Sequence, residues 1–159
     1  MTTKKPEDYG IKNYTWNNGV LDVSGSVDLI YLKLKEIPFK FGKVSGDFYC
    51  SYNQLKSLEG CPSSVGGGFY CHNNQLKSLI GAPSSVGGDF NCSCNKFKSL
   101  EGFPTKIFPT KIVGNIDVGE IDRELIFKHF NYKSRKKDPN KILREILDRS
   151  NAERFISSL

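Results

Sequence analysis

Hydrophobic and polar positions recur along this chain with a fixed 21-residue period. The run Asn53-Gln54-Leu55-Lys56-Ser57-Leu58 returns at 74–79 and, with two changes, at 95–100. The same step relates Val44 to Val65 and Val86, Phe48 to Phe69 and Phe90, Cys50 to Cys71 and Cys92, and Pro62 to Pro83 and Pro104. A fixed period of this length predicts a solenoid, in which each repeat forms one coil and stacked coils bury a shared core.

The recurring inward positions within one unit, four apolar residues and an asparagine, have the spacing of a leucine-rich repeat. In the second complete unit they are Phe69, Cys71, Asn74, Leu76 and Leu79. Alternation at the first two positions predicts a short strand with two inward side chains. The asparagine is expected to turn inward and bond the backbone of adjacent coils. The glycine pairs at 66–67 and 87–88 predict a tight corner that side chains would obstruct.

The array extends beyond the three complete units at about 44–106. A diverged first unit at about 23–43 aligns with the next one without a gap. Further on, the segment 103–107 is repeated at once as 108–112, which indicates a five-residue insertion. With that insertion removed, the segment 113–118 matches the repeat if its alignment is shifted by one residue position. The sequence therefore predicts about five coils over 23–119.

A solenoid needs caps at both ends, because the outer faces of its terminal coils are apolar. Residues 1–22 are the predicted N-terminal cap, with apolar side chains at Tyr14, Trp16, Val20 and Leu21. Residues 120–159 are predicted to form a helical C-terminal cap, with one helix beginning at Asp122 and another at Asp138-Pro139. The predicted fold is an α/β solenoid with a parallel sheet on one face. The stripe Ile142, Leu143, Ile146 and Leu147 is expected to cover the last coil, or alternatively to mediate self-association.

The repeated Asn-Gln-Leu-Lys-Ser-Leu and Pro-Ser-Ser-Val-Gly-Gly segments, with 39–48, resemble leucine-rich-repeat proteins of large tailed bacteriophages. The resemblance covers about 23–118. It implies a phage accessory protein that binds and modulates or inhibits a protein of the bacterial host, in defence or in metabolism. The C-terminal segment 120–159 departs from simple repeat arrays.

The net charge of +6 is moderate, and acidic and basic residues alternate along most of the chain. The compact basic run at 133–137 is interpreted as a solvated linker, with a phosphate-binding patch as the alternative. That alternative makes the chain a nucleic-acid-binding protein through Lys133, Arg135, Lys136, Lys137, Lys141 and Arg144.

Catalysis, metal binding and cofactor binding are not expected. The two histidines, His72 and His129, have no triad partner placed by spacing, and no phosphate-loop or dinucleotide motif occurs. The cysteine column is interpreted as buried thiols, because a straight ladder lacks the tetrahedral geometry of a zinc site. Five cysteines, with no apolar signal-peptide core, favour a reducing cytoplasm, that of the host cell if the chain is phage-encoded.

The outward positions of the predicted strands are the best candidates for function, since a solenoid presents them side by side. We call this set the outer strip, and expect it to bind a protein partner through its tyrosines. The alternative is that these side chains merely face solvent on the strands and have no binding role. The strip consists of Asp28, Asp47, Tyr49, Ser51, Tyr70, His72, Asp89, Asn91 and Ser93.

Overall fold

The computed structural model describes residues 4–97 and the strand Ile116–Asp117. A 3-10 turn at Pro6–Tyr9 is followed by short strands that occur twice in each coil. These are β1 (Tyr14–Asn17), β2 (Val20–Val23), β3 (Val27–Asp28), β4 (Phe41–Val44), β5 (Phe48–Tyr49), β6 (Ser64–Val65), β7 (Phe69–Tyr70), β8 (Ser85–Val86), β9 (Phe90–Asn91) and β10 (Ile116–Asp117).

The strands form two five-stranded sheets. The first has the order β1-β2-β4-β6-β8 and the second the order β10-β9-β7-β5-β3. All neighbours are parallel except the hairpin pair β1 and β2. Val44 pairs with Val65 and Phe48 with Phe69, so the register follows the 21-residue step. The predicted solenoid of stacked 21-residue coils is confirmed for the described residues.

The parallel sheet was expected on one face of the solenoid only, but the structure has two sheets, because the glycine corner separates two strands in each coil. In the third coil Gly66, Gly67 and Gly68 turn the chain between β6 and β7. A Cβ on Gly66 would lie 2.2 Å from the carbonyl oxygen of Ser45 in the coil before. Adjacent coils approach too closely at this corner for a side chain, which explains the glycines in physical terms. The described coils consist of strands and turns, without an α-helix.

The core is a set of side-chain columns that run through successive coils. Phe48, Phe69 and Phe90 are fully buried, with neighbouring ring centroids 5.9 and 5.4 Å apart. The predicted leucines and the column of Cys50, Cys71 and Cys92 are buried as well. Each ring packs against the equivalent ring of the next coil, so burial depends on stacking and not on any single repeat.

The asparagine column has the predicted role. The Nδ2 group of Asn74 donates to the carbonyl of Cys50 in the previous coil at 2.9 Å and to that of Cys71 at 3.1 Å. Its Oδ1 accepts from the backbone N–H of Leu55 at 3.0 Å. Asn53 and Asn95 repeat the pattern. One side chain thus satisfies backbone groups of two coils where no strand ladder does so.

The N-terminal segment lies against the first coil as a 3-10 turn and a β-hairpin. Leu21 is fully buried, while Trp16 is 46% exposed and packs edge-on against Phe39 at 6.0 Å. The antiparallel strand β1 covers β2, which would otherwise be an open sheet edge. Val23 pairs with Val44 and Leu21 with Phe41, so the hairpin joins the repeat through a local bulge.

The strand Ile116–Asp117 extends the second sheet. Ile116 pairs with Phe90 and Asp117 with Asn91. The step from position 90 to position 116 equals one 21-residue coil and the five-residue duplication together. The predicted fifth strand is therefore present, but its alignment with the repeat does not have the expected shift of one residue position. The predicted helical cap at 120–159 and the basic run at 133–137 lie outside the described residues.

Candidate protein-binding face

The outer surface of the second sheet places tyrosines of neighbouring coils in contact. Tyr49 and Tyr70 are paired across β5 and β7, and their rings are stacked with centroids 4.9 Å apart and an interplanar angle of 8°. Both side chains are half-buried. Asp28 and Asn91 continue this row on either side. The register therefore assembles part of the outer strip as the sequence predicted.

Asp47 fixes the orientation of this pair. Its Oδ2 accepts from the Tyr49 hydroxyl at 3.0 Å, and its Oδ1 accepts from the backbone N–H of Gly68 at 2.6 Å. A Cβ on Gly68 would lie 2.6 Å from the Tyr70 ring, so the glycine leaves the space that the ring occupies. The carboxylate and the glycine together hold the two rings parallel, which preorganises the surface.

The electrostatics of the tyrosine pair favour the neutral phenols. Burial raises the pKa of Tyr49, and its hydrogen bond to Asp47 acts in the same direction. Burial also raises the pKa of Tyr70, with further contributions from the charges of Asp89 and Asp47. Both hydroxyl groups therefore remain protonated at neutral pH, when they are able to donate a hydrogen bond.

Ser51 is not available to a partner, contrary to the prediction. It is fully buried, and its Oγ donates to the carbonyl of Tyr70 at 3.0 Å. Its Oγ also lies 3.0 Å from Nδ1 of His72, which occupies the same position one coil later. This contact helps to fix the orientation of the His72 ring, which is half-buried. Sequence alternation alone could not distinguish these two positions.

The ends of the strip are held by local hydrogen bonds. Asn91 Oδ1 accepts from the backbone N–H of Ser93 at 3.0 Å and from its hydroxyl at 2.8 Å. Asp28 Oδ1 accepts from the N–H of Ile30 at 3.0 Å. Asp89 is half-buried at the start of β9. These polar groups border the tyrosines and give this side of the coil an acidic character.

A second tyrosine pair lies next to the strip. The sequence places Tyr52 beside the end of the strip, but its pairing with Tyr31 was not predicted. Tyr31 and Tyr52 are stacked with ring centroids 4.6 Å apart, and they are 68% and 42% exposed. The edge of His72 contacts Tyr52 at a centroid distance of 5.2 Å, which joins this pair to the strip. One repeat step back from Tyr52 reaches Tyr31, so the repeat itself contained the signal.

The backbone of this second pair is unusual. Tyr31 has φ 59° and Tyr52 has φ 54°, in the left-handed region, and the equivalent positions Asn73 and Cys94 have φ 53° and 52°. Left-handed backbone costs an L-residue roughly 1–2 kcal/mol, and asparagine tolerates it better than a bulky residue does. The two tyrosines therefore occupy positions that the fold alone would assign to glycine or asparagine.

We call the combined surface the tyrosine face. It contains two stacked aromatic pairs, a histidine that contacts the second pair, and a border of carboxylates. Its members are Tyr31, Tyr49, Tyr52, Tyr70, His72, Asp28, Asp47 and Asp89.

The thiols are mostly internal. Cys50, Cys61, Cys71 and Cys92 are buried, and Cys94 is exposed. Burial raises the pKa of Cys61 and Cys71, so these thiols stay protonated. Cys61 joins the column from the return turn, a contact that the repeat spacing did not predict. Within residues 4–97 no group of histidines, cysteines and carboxylates is arranged to hold a metal ion.

Comparisons with protein-family models, with curated proteins and with solved structures found no match to this chain. Among the described residues, no helix has the length and apolar character needed to cross a bilayer.

Proposed function

We propose that this chain is a protein-binding repeat module that works through the tyrosine face and not by catalysis. The observation that carries the proposal is the position of Tyr31 and Tyr52 on left-handed backbone with largely exposed rings. Strained backbone that carries exposed functional side chains is typical of binding and active sites. The cost of each conformation is offset if the ring contacts a partner.

The chemistry of the face supports a protein ligand. Tyrosine is enriched at protein interfaces because a rigid ring buries a large area with little loss of conformational entropy. Two stacked pairs in one small area provide the clustered aromatic anchors that dominate binding energy. The hydroxyl of Tyr70, neutral at physiological pH, adds a directional donor, whereas that of Tyr49 already donates to Asp47.

The carboxylates indicate the charge of the partner. Asp28, Asp47 and Asp89 border the tyrosines on the same side of the coil. A partner surface that presents arginine or lysine would meet both carboxylates and aromatic rings, to which cations are attracted. In the setting that the phage resemblance implies, this partner is a protein of the bacterial host, and binding would modulate or inhibit it.

The experiment is a pull-down from bacterial lysate, read by mass spectrometry, with wild type, Tyr31→Asn/Tyr52→Asn and Tyr49→Ala/Tyr70→Ala variants. Ile80→Ala is the matched control, because Ile80 is 56% exposed and is not a member of the face. We expect one captured protein, retained by the control and lost by both tyrosine variants. Capture that is indifferent to both double variants would exclude the tyrosine face as the binding site.

A further inference from the structure

The side of the coil between the asparagine turn and the return turn carries a regular row of lysines. Lys35, Lys56 and Lys77 follow one another at the repeat step, and all three are exposed. We call this row the lysine ladder. Lys98 continues it in sequence but lies outside the described residues.

Backbone hydrogen bonds hold this side of successive coils in register. The N–H of Gln54 donates to Leu34, that of Gln75 to Leu55, and that of Lys96 to Leu76, at 2.8 to 2.9 Å. Neighbouring coils are therefore about 4.8 Å apart here, as in a sheet. Equivalent lysines therefore follow one another from coil to coil along the solenoid.

Most positions around the ladder carry donors of the kind that bind phosphate, and the exposed Glu36 beside Lys35 is the exception. A neighbouring exposed or half-buried row contains Lys33, Gln54, Gln75 and Lys96. In the second and third coils the ladder is followed by Ser57 and Ser78. The side chains between them, Leu34, Leu55, Leu76 and Phe97, belong to the core or pack against it. Lysine, glutamine and serine are the side chains that contact phosphate oxygens in nucleic-acid complexes.

The residue composition of these two rows is unlike that of a protein-binding surface. Protein interfaces are depleted in lysine and depend on aromatic anchors, and neither row contains an aromatic ring. Binding of single-stranded nucleic acid also depends on aromatic rings for base stacking. Asp28, Asp47 and Asp89 belong to the tyrosine face, whereas Glu36 and Glu59 are exposed next to the ladder. The two rows together hold five lysines against these two glutamates, and this excess of positive charge suits a polyanion whose charges are regularly spaced.

We propose that the lysine ladder binds the phosphodiester backbone of a nucleic-acid duplex without reading its sequence. This site is separate from the tyrosine face and does not depend on the function proposed for it. It is also distinct from the basic run at 133–137. Three lysine–phosphate contacts give a salt dependence of log K with a slope of about −2.7, which is about a 40-fold loss of affinity between 50 and 200 mM salt.

The test is fluorescence anisotropy with a labelled duplex of about 20 base pairs at several salt concentrations. The ladder variant is Lys35→Gln/Lys56→Gln/Lys77→Gln. The control is Lys12→Gln/Lys40→Gln/Lys43→Gln, which removes the same charge from three other exposed lysines. A third variant, Lys133→Gln/Lys136→Gln/Lys137→Gln, tests the C-terminal run. Thermal melts of all variants verify folding.

We expect the ladder variant to lose the larger part of the affinity and to flatten the slope by about 2.7, with a smaller effect in the control. Affinities measured for DNA and RNA duplexes of the same sequence show which of the two nucleic acids the ladder prefers. The proposal is overturned if wild type does not bind a duplex at 50 mM salt, if the control loses as much as the ladder variant, or if only the C-terminal variant loses binding.

Discussion

Tyr49 and Tyr70 lie face to face across one coil step, with ring centroids 4.9 Å apart and an interplanar angle of 8°. The contact is a consequence of the repeat, because parallel in-register strands bring equivalent positions to the separation of stacked rings. The same geometry recurs in the Tyr31 and Tyr52 pair. A short solenoid can therefore build an aromatic surface by repeating one residue type at one position.

The ionisation of this first pair provides a test of its environment. Burial, with nearby carboxylates, raises the pKa of both phenols above the unfolded value of about 10. The folded state therefore holds these protons more tightly, and the stability that this contributes is present below pH 10 and is lost as pH rises through the folded pKa. In an absorbance titration at 295 nm, the difference between wild type and Tyr49→Phe/Tyr70→Phe should show two phenols ionising above pH 10. Ionisation of the pair at or below pH 10 would contradict the structure.

Removal of one asparagine amide from the interior should be costly. Asn74→Ala leaves the N–H of Leu55 without its partner, and it leaves the carbonyl of Cys50 with only the longer 3.2 Å bond from Asn53 Nδ2. We expect the free energy of unfolding to fall by about 1–3 kcal/mol, the cost of one unsatisfied buried group. Urea denaturation measures this change. Gln54→Ala, at an exposed position, is the control and should change stability by less than about 0.5 kcal/mol.

The glycine corner should reject even one methyl group. A Cβ on Gly66 would lie 2.2 Å from the backbone oxygen of Ser45, and backbone cannot move aside as a flexible side chain can. Gly66→Ala should therefore lower the free energy of unfolding by about 1–3 kcal/mol in urea denaturation. Ser45→Ala is the matched control, since Ser45 occupies the same position one coil earlier and already carries a Cβ. It should cost less than Gly66→Ala, because it removes only the exposed hydrogen bond from the N–H of Gly25. Equal stability of Gly66→Ala and wild type would show that the coils are further apart than described.

The features that recur at the same position in every coil could be predicted from the sequence. The inward columns of phenylalanine, cysteine and leucine, and the asparagine ladder, follow from the repeat period, because burial and hydrogen bonding repeat identically. Ser51 is more deeply buried than its equivalents His72 and Ser93, because His72 of the next coil lies against it. This burial could not be predicted from the alternation within one coil. The left-handed backbone at Tyr31 and the second sheet depend on how the corners turn. The period indicates where the corners lie but not the angles through which they turn.

Thiol reactivity should separate one cysteine from the others. Cys94 is exposed, whereas Cys50, Cys61, Cys71 and Cys92 are buried, and burial slows reaction because the thiolate must be accessible. We expect a thiol-specific aromatic disulfide reagent to label one group rapidly in the native protein and four more after addition of denaturant. Cys94→Ser should remove the rapid phase. Two or more rapid groups in wild type would mean that the core is less closed than the structure shows.

The left-handed tyrosines allow binding and stability to be separated in one variant. Tyr52→Asn replaces a bulky residue at φ 54° with the residue that Asn73 supplies at the equivalent position. The relief of backbone cost, roughly 1–2 kcal/mol, offsets the loss of ring stacking, roughly 0.5–1.5 kcal/mol. The free energy of unfolding should therefore stay within about 1 kcal/mol of wild type, while affinity for the captured partner falls at least about tenfold, as expected for loss of an aromatic anchor. A large loss of stability with binding unchanged would give Tyr52 a structural role and remove the main support for the tyrosine face.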